Sequence, residues 1–121
     1  MMTSADLATV LPRYEFKTIS TFDGNIIYPE AYKSNYWLCN SQEPYVSIPR
    51  NETHRLREMI LVIDTKNTLP SSMYWDSNCH PRTDVNTDLK CESGINVFWI
   101  SEYMENQFVV SRWLQTAGGN N

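Results

Sequence analysis

Glycine is scarce in this sequence, which contains four glycines among 121 residues. The Gly-x-Ser-x-Gly elbow of many hydrolases and the loops that cradle phosphate groups both depend on glycine, and neither pattern occurs. The zinc-binding pattern His-Glu-x-x-His does not occur either. A small hydrolase that uses His54, His80 or Asp64 is therefore only the third hypothesis, and we expect a protein that is not an enzyme.

Long apolar runs are also missing, because the longest run, at residues 59–63, has only five members. A helix that crosses a bilayer needs about 20 consecutive apolar residues. The first residues show no basic segment followed by an apolar one, which is the pattern of a secretory signal. We expect no membrane contact and a cytoplasmic location, or a place in a virion if the chain is a viral structural protein.

Basic residues are outnumbered by acidic ones, which gives a net charge of -4 and a pI near 5.0. Binding to DNA or RNA depends on a broad positive surface that neutralises phosphate groups. The only basic cluster combines His54 with Arg50, Arg55 and Arg57, and two neighbouring glutamates partly cancel its charge. We therefore expect no nucleic-acid partner.

The cysteine count is odd, because the chain contains Cys39, Cys79 and Cys91 alone. Without a secretory signal, the expected state of all three is the reduced thiol. Cys79, His80 and Cys91 are residue types that bind zinc, but the paired knuckles that make such a site specific are absent. We expect no disulfide, no metal and no other cofactor.

Residues 56–64 contain the apolar run and are expected to organise the core. The run is too short for a buried helix and holds three β-branched residues. It ends at Asp64, before turn-prone residues at 66–68. A central strand covered on both faces fits this pattern best.

Alternation of side chains predicts further strands on either side of this segment. Residues 13–22 alternate as in a half-exposed strand, and Asp23-Gly24 is typical of a hairpin turn. Residues 25–28 should then return antiparallel to residues 13–22. Two more short strands are expected at residues 35–40 and 45–48.

The last unit, residues 95–115, alternates over two stretches that a turn at 104–107 would connect. We therefore predict a second hairpin. A helix at about residues 101–115 is the alternative, because Ser101 is a good N-cap and Met104, Phe108 and Val109 would share one face.

These elements predict a mainly β fold in one domain over residues 1–121, with its β core at 13–115. We expect an antiparallel sandwich or flattened barrel of about seven or eight short strands. A short helix at residues 3–11 should precede the core, and a flexible tail should follow at 116–121. The alternative fold is α+β, with the helix at 101–115.

Residues 76–92 form a polar tract that is expected to be a long loop, and long loops are often functional. An aromatic island precedes the tract and has little neighbouring sequence to bury it. We expect Trp75 in this island to anchor a partner. The candidate binding residues are Trp75, Tyr74, Trp37, Asp76, His80, Asp84 and Asp88.

Adjacent aromatic residues must point to opposite faces of a strand, so some aromatic side chains should be exposed. Exposed aromatic residues are common at the centres of protein interfaces. We therefore expect a protein partner or a homo-oligomer. The chain would act as an inhibitor, an accessory subunit or a component of a viral or phage particle. A carbohydrate-binding or small-ligand domain that uses Trp37, Trp75 or Trp99 is the alternative.

Overall fold

The computed structural model describes residues 15–18, 22–82 and 89–116, which form ten β-strands and no helix. Consequently, this part of the chain has no helix with the length and apolar character needed to cross a membrane. The strands are β1 Glu15–Thr18, β2 Phe22–Asp23, β3 Ile26–Ile27, β4 Lys33–Leu38, β5 Tyr45–Val46, β6 Glu58–Asp64, β7 Tyr74–Trp75, β8 Cys79–Pro81, β9 Ile95–Met104 and β10 Gln107–Thr116.

Two open sheets contain these strands. The large sheet has the order β1-β4-β6-β9-β10-β8, and the small sheet has the order β2-β3-β5-β7. From β3 to β7 the chain alternates between the sheets, because β3, β5 and β7 lie in the small sheet while β4 and β6 lie in the large one. Successive strands of the same sheet in this segment therefore run in the same direction.

This alternation produces parallel pairs without helical crossovers, because a strand of the opposite sheet forms part of the connection between the paired strands. The exception is the parallel pair of β8 and β10, which are connected through β9 of the same sheet. Among the described residues, five of the eight strand pairings are parallel. The prediction of a mainly β fold is confirmed. The prediction of a mainly antiparallel fold of about seven or eight strands is wrong in its pairing and in its strand number, because most of the described pairings are parallel and ten strands are present. Neither sheet closes into a barrel.

Strand β6 occupies the centre of the large sheet, between β4 and β9. All five residues of its apolar run are completely buried. Met59, Leu61 and Ile63 contribute to the main core, which lies between the two sheets and includes Ile27 and Val46 of the small sheet. Ile60 and Val62 belong to a second, smaller cluster on the other face of the large sheet. The prediction of a central strand buried on both faces is confirmed.

The first hairpin consists of β2 and β3, joined by Gly24 and Asn25. Gly24 has φ +63°, and a type II′ turn requires a positive φ at this first loop position. A hairpin occurs at this place as predicted, but its turn residues are Gly24 and Asn25 and not Asp23 and Gly24, and its first strand is only two residues long. Strand β1 does not belong to the hairpin, because it pairs in parallel with β4 in the large sheet.

The second hairpin consists of β9 and β10, so the alternative helix at 101–115 is wrong. The turn contains Asn106 at φ +62°, and asparagine tolerates this left-handed conformation better than most residues do. Residues 95–104 pair with β6 on one side and with β10 on the other. This strand pairing satisfies the backbone groups that a helix would have satisfied internally.

The polar tract at 76–92 is not one continuous loop, because it contains β8, which pairs in parallel with β10. The predicted helix at 3–11 lies outside the described residues. So does most of the predicted tail, although Thr116 is the last residue of β10.

Adjacent aromatic residues point to opposite faces, as expected. Trp37 and Phe98 lie in the main core, whereas their neighbours Tyr36 and Trp99 pack against the second cluster. Burial on both faces of the large sheet therefore accommodates both members of each pair.

Candidate functional site

Trp75, the predicted anchor, is half-buried on the edge strand of the small sheet. Its side chain packs against the main core. Its indole Nε1–H donates a hydrogen bond of 3.0 Å to the carbonyl oxygen of Leu89. The side chain therefore has partners within the protein, and its role as a binding anchor stays a prediction.

Tyr74 and Asp76 lie on either side of Trp75 and have different surroundings from it. Tyr74 is 46% exposed and pairs in register with Tyr45 on the adjacent strand. The hydroxyl group of Tyr45 donates a hydrogen bond of 2.9 Å to Oδ1 of Asp76. The other carboxylate oxygen accepts a hydrogen bond of 3.0 Å from the backbone N–H of Ile48. Tyr45, Tyr74 and Asp76 thus form one small polar and aromatic surface.

Two of the remaining predicted site residues, Trp37 and His80, do not join this surface. Trp37 is 3% exposed, so the expectation that it offers an exposed aromatic platform is wrong. His80 is exposed on β8, in a different sheet, and its Nε2 atom lies 3.1 Å from Oε1 of Gln107. Asp84 and Asp88 lie outside the described residues.

The three cysteines are free thiols, with Cys39 and Cys79 buried and Cys91 half-buried. Burial raises the pKa of all three thiols, to about 12 for Cys79 and Cys91. A thiol with such a pKa is neutral at pH 7 and therefore a weak nucleophile. Within the described ranges, no three His, Cys, Asp or Glu side chains are grouped as metal ligands would be.

A larger exposed surface occurs at the end of the large sheet where β6 begins. Tyr32 lies just before β4, and its hydroxyl group donates a hydrogen bond of 2.7 Å to the carbonyl oxygen of Leu56. The N–H of Glu102 donates to the carbonyl oxygen of Arg57, which extends the antiparallel pairing of β6 and β9. The next residues along this pairing are Leu56 and Tyr103.

Large apolar side chains are concentrated at this end. Tyr32 is 44% exposed, Leu56 55%, Tyr103 52% and Met104 58%. These four residues, which we call the end surface, are four of the seven large apolar residues that are exposed within residues 24–82 and 89–112. None of the four was among the binding residues predicted from the sequence.

The backbone is strained at the same end. Tyr32, His54 and Asn106 have φ values of 59°, 60° and 62°, and no other described residue except glycine has a positive φ. Such a conformation costs on the order of 1–3 kcal/mol for a residue with a side chain, and it is common at functional sites. The surrounding contacts must therefore hold this part of the chain firmly.

A buried ion pair provides the strongest of these contacts. Nε of Arg57 lies 3.0 Å from Oε1 of Glu102, and the Glu102 side chain is completely buried. The Nη1 group of Arg57 donates to the carbonyl oxygen of Pro49 at 2.7 Å. The Arg57 guanidinium also lies over the ring of Phe108, 5.2 Å from its centroid. The only buried member of the basic cluster is thus neutralised.

Arg55 and His54 of the basic cluster border the end surface. The guanidinium of Arg55 lies 5.7 Å from the ring centroid of Tyr32, in a cation–π arrangement. Nδ1 of His54 lies 3.5 Å from a carboxylate oxygen of Glu105 in the hairpin turn, and both side chains are exposed. Arg50 is also exposed. The end surface therefore has an apolar centre and a charged border.

Comparisons of the chain with protein-family models, with curated proteins and with solved structures give no match. A proposal about function therefore depends on the geometry of the site. One feature of the sequence does indicate the end surface, because the basic cluster at residues 50–57 lies next to it. The exposed apolar residues give no such signal, because Tyr32, Leu56 and Tyr103 are 24 or more positions apart.

Proposed function

We propose that this protein is a non-enzymatic binding protein that associates with another protein through the end surface. The observation that carries the proposal is the grouping of Tyr32, Leu56, Tyr103 and Met104, all exposed, at one end of the large sheet. Exposed apolar residues are ordinary when scattered, but a group with a polar border is typical of an interaction site. An inhibitor, an accessory subunit and a particle component would all act by such an association.

The residue types support this proposal. Tyrosine, methionine and arginine are enriched at the centres of protein interfaces, whereas lysine and glutamate are depleted there. Tyrosine also loses little conformational entropy on binding. Arg55 adds a guanidinium group that lies over the ring of Tyr32 in a cation–π arrangement.

Preorganisation is the second physical support. The positive φ values at Tyr32 and His54 require contacts that hold these residues, and Glu102, the partner of Arg57 in the ion pair, is hydrogen-bonded to Asn51, which holds the backbone at His54. A surface that is rigid before binding spends less free energy on ordering when the complex forms. The end surface therefore suits tight association better than a mobile loop would.

The partner is first identified by in-cell photocrosslinking from position 104. The test is then capture of this partner by the full chain carrying either Tyr103→Ala or Leu56→Ala. Truncation of a residue at an interface centre typically costs about 2 kcal/mol, or roughly thirtyfold in affinity. Leu69→Ala is the matched control, because Leu69 is 50% exposed and lies outside the end surface. All three variants should keep the circular dichroism spectrum and the Tm of the wild type.

Unchanged affinity in both end-surface variants would contradict the proposal. A similar loss of affinity in Leu69→Ala would contradict it too, because the effect would then not be specific to this end of the sheet. The affinity should be measured with the purified partner by titration calorimetry, so that capture alone does not decide the result.

Carbohydrate binding is the second candidate, supported by the surface of Tyr45, Tyr74 and Asp76. Tyr74 presents an exposed ring, and the Asp76 carboxylate has lone pairs beyond the two hydrogen bonds that it accepts. A sugar ring could stack on the tyrosine and donate hydroxyl groups to the carboxylate. Binding to a glycan array that Tyr74→Ala abolishes and Tyr103→Ala leaves intact would favour this candidate over protein binding.

A further inference from the structure

Three separate segments of the chain meet at the carboxylate of Glu102. Its Oε1 atom accepts hydrogen bonds from the backbone N–H of Arg57 at 2.9 Å, from Nε of Arg57 at 3.0 Å and from Nδ2 of Asn51 at 2.8 Å. Its Oε2 atom accepts from the backbone N–H of Asn106 at 2.6 Å and from Nη2 of Arg57 at 3.4 Å. These donors come from the loop before β6, the start of the β6–β9 pairing and the turn of the second hairpin.

We propose that Glu102 is the positioning residue of the end surface, and that its ionised carboxylate holds the loop and the hairpin turn in the arrangement that presents Leu56, Tyr103 and Met104. Protonation of this carboxylate would release both segments together. The consequence for partner binding rests on the function proposed above. The consequence for the conformation of the chain does not.

The carboxylate is suited to this role because only donors surround it. Five N–H groups point at its two oxygen atoms, and an ionised carboxylate accepts at about four lone-pair positions while donating none. A glutamine at this position would direct an NH₂ group at some of these donors. Hydrogen bonds to a buried charged group are also stronger than those between neutral groups.

Asn51 transmits the position of the carboxylate to the loop. While its Nδ2 group donates to Glu102, its Oδ1 atom accepts from the backbone N–H of Thr53 at 2.8 Å and of His54 at 3.1 Å. Nδ2 donates as well to the carbonyl oxygen of Arg55 at 2.7 Å. The loop that precedes Leu56, including the positive φ at His54, is therefore fixed by a side chain that Glu102 holds.

Asn106 connects the hairpin turn to the same centre. Its backbone N–H donates to Glu102, and its Oδ1 atom accepts from the backbone N–H of Asn51 at 2.7 Å. Its carbonyl oxygen accepts from Nδ2 of Asn78 at 2.8 Å. The turn that follows Met104 and the loop that precedes Leu56 are thus bonded to each other as well as to Glu102.

The response to pH follows from the same contacts. Burial acts to raise the pKa of Glu102, but the hydrogen bonds from Arg57 and Asn106 and the charge of Arg57 outweigh burial, so the pKa is lowered from its ordinary value of 4.5. The carboxylate therefore stabilises this arrangement above that value, and the stabilisation is lost as the pH falls through the lowered pKa. The exposed pair of His54 and Glu105 is the nearby ionisable contact that must be tested separately.

The experiment is amide hydrogen exchange on the full chain from pH 7 downward, expressed as protection factors so that the intrinsic pH dependence cancels. The amides of Arg57, Thr53 and Asn106 should be protected at pH 7 and should lose protection at least tenfold as the pH falls through the lowered pKa of Glu102. The amides of β6 should remain protected over this range, which excludes global unfolding. Glu102→Gln should show low protection of the three amides at every pH. Glu105→Gln should behave as the wild type does, as should Glu43→Gln, a change of an exposed carboxylate away from the site.

Three results would overturn the proposal: no loss of protection in the wild type down to the lowest pH at which β6 stays protected, wild-type protection in Glu102→Gln, or loss of the pH response in Glu105→Gln. The wild-type pH series decides the matter even if Glu102→Gln fails to fold. If the exchange results agree with the proposal while Glu102→Gln keeps full partner affinity, the positioning role stands and the proposed function of the end surface fails.

Discussion

The ring of Trp75 packs edge-on against the ring of Phe98, with centroids 5.2 Å apart and an interplanar angle of 71°. Trp75 belongs to the small sheet and Phe98 to the large sheet, so this contact joins the two sheets across the main core. Aromatic pairs in this geometry contribute about 0.5–1.5 kcal/mol beyond their burial.

We predict that Trp75→Ala lowers the free energy of unfolding by about 2 kcal/mol or more, because it removes this contact and leaves a cavity. Urea unfolding measures the loss. Tyr74→Ala is the matched control and should change stability by less than about 0.5 kcal/mol, since its side chain is exposed. If Trp75→Ala keeps full stability and loses a partner instead, Trp75 is the anchor that its place in the sequence suggested.

Leu61→Ala and Ile63→Ala should each cost roughly 2–5 kcal/mol, because both side chains are completely buried in the main core. The same urea experiment provides the measurement. Leu38→Ala offers a comparison in the neighbouring strand, where the side chain is 39% exposed and a smaller loss is expected. A cost below about 1 kcal/mol at Leu61 or Ile63 would show that β6 is not the centre of the core.

Arg57→Met should destabilise the protein by about 3–5 kcal/mol at pH 7, because it leaves the buried carboxylate of Glu102 without its charged partner. The ion pair lowers the pKa of Glu102, so its stabilisation is lost as the pH falls. The difference between Arg57→Met and the wild type should therefore shrink as the pH falls through the lowered pKa of Glu102. Arg50→Met serves as the control for loss of an exposed arginine, and an equal effect of the two changes would refute the prediction.

The thiols should react slowly in the folded protein. Burial raises the pKa of Cys79 and Cys91 to about 12, so the thiolate fraction at pH 8 is about 10⁻⁴. Alkylation by iodoacetamide at pH 8 should be at least about 100-fold slower per thiol than in urea, where thiols have their ordinary pKa near 8.5. Intact-protein mass spectrometry gives the time course. Rapid alkylation of Cys79 without urea would contradict the burial of this side chain.

The alternation of side chains was sufficient to predict several elements. The five apolar residues of β6 could only be buried on both faces of a strand, and the structure confirms this. Gly24 permits the positive φ of a tight turn, so the first hairpin was also predictable. Both features depend on neighbours in the chain, which is why the sequence alone reveals them.

The pairing of strands was not predictable in the same way. Strand β1 has the alternation of a hairpin strand, yet it pairs in parallel with β4 because the chain passes through the small sheet before it returns. Long-range pairing is selected by the packing of both sheets around one core, and no local pattern records that choice. Trp75 illustrates the same limit, because Phe98 is 23 positions away in the sequence.

The sequence by itself determined the β class, the central strand, both hairpins and the presence of a basic cluster, because each depends on side chains within a few residues. The tertiary structure alone decided the parallel arrangement of the sheets and the burial of Trp37. It also decided the position of the end surface, whose residues Tyr32, Leu56 and Tyr103 become neighbours only when β4, β6 and β9 pair. The physical reason is that exposure depends on what the rest of the chain covers, and that is settled by contacts between distant segments.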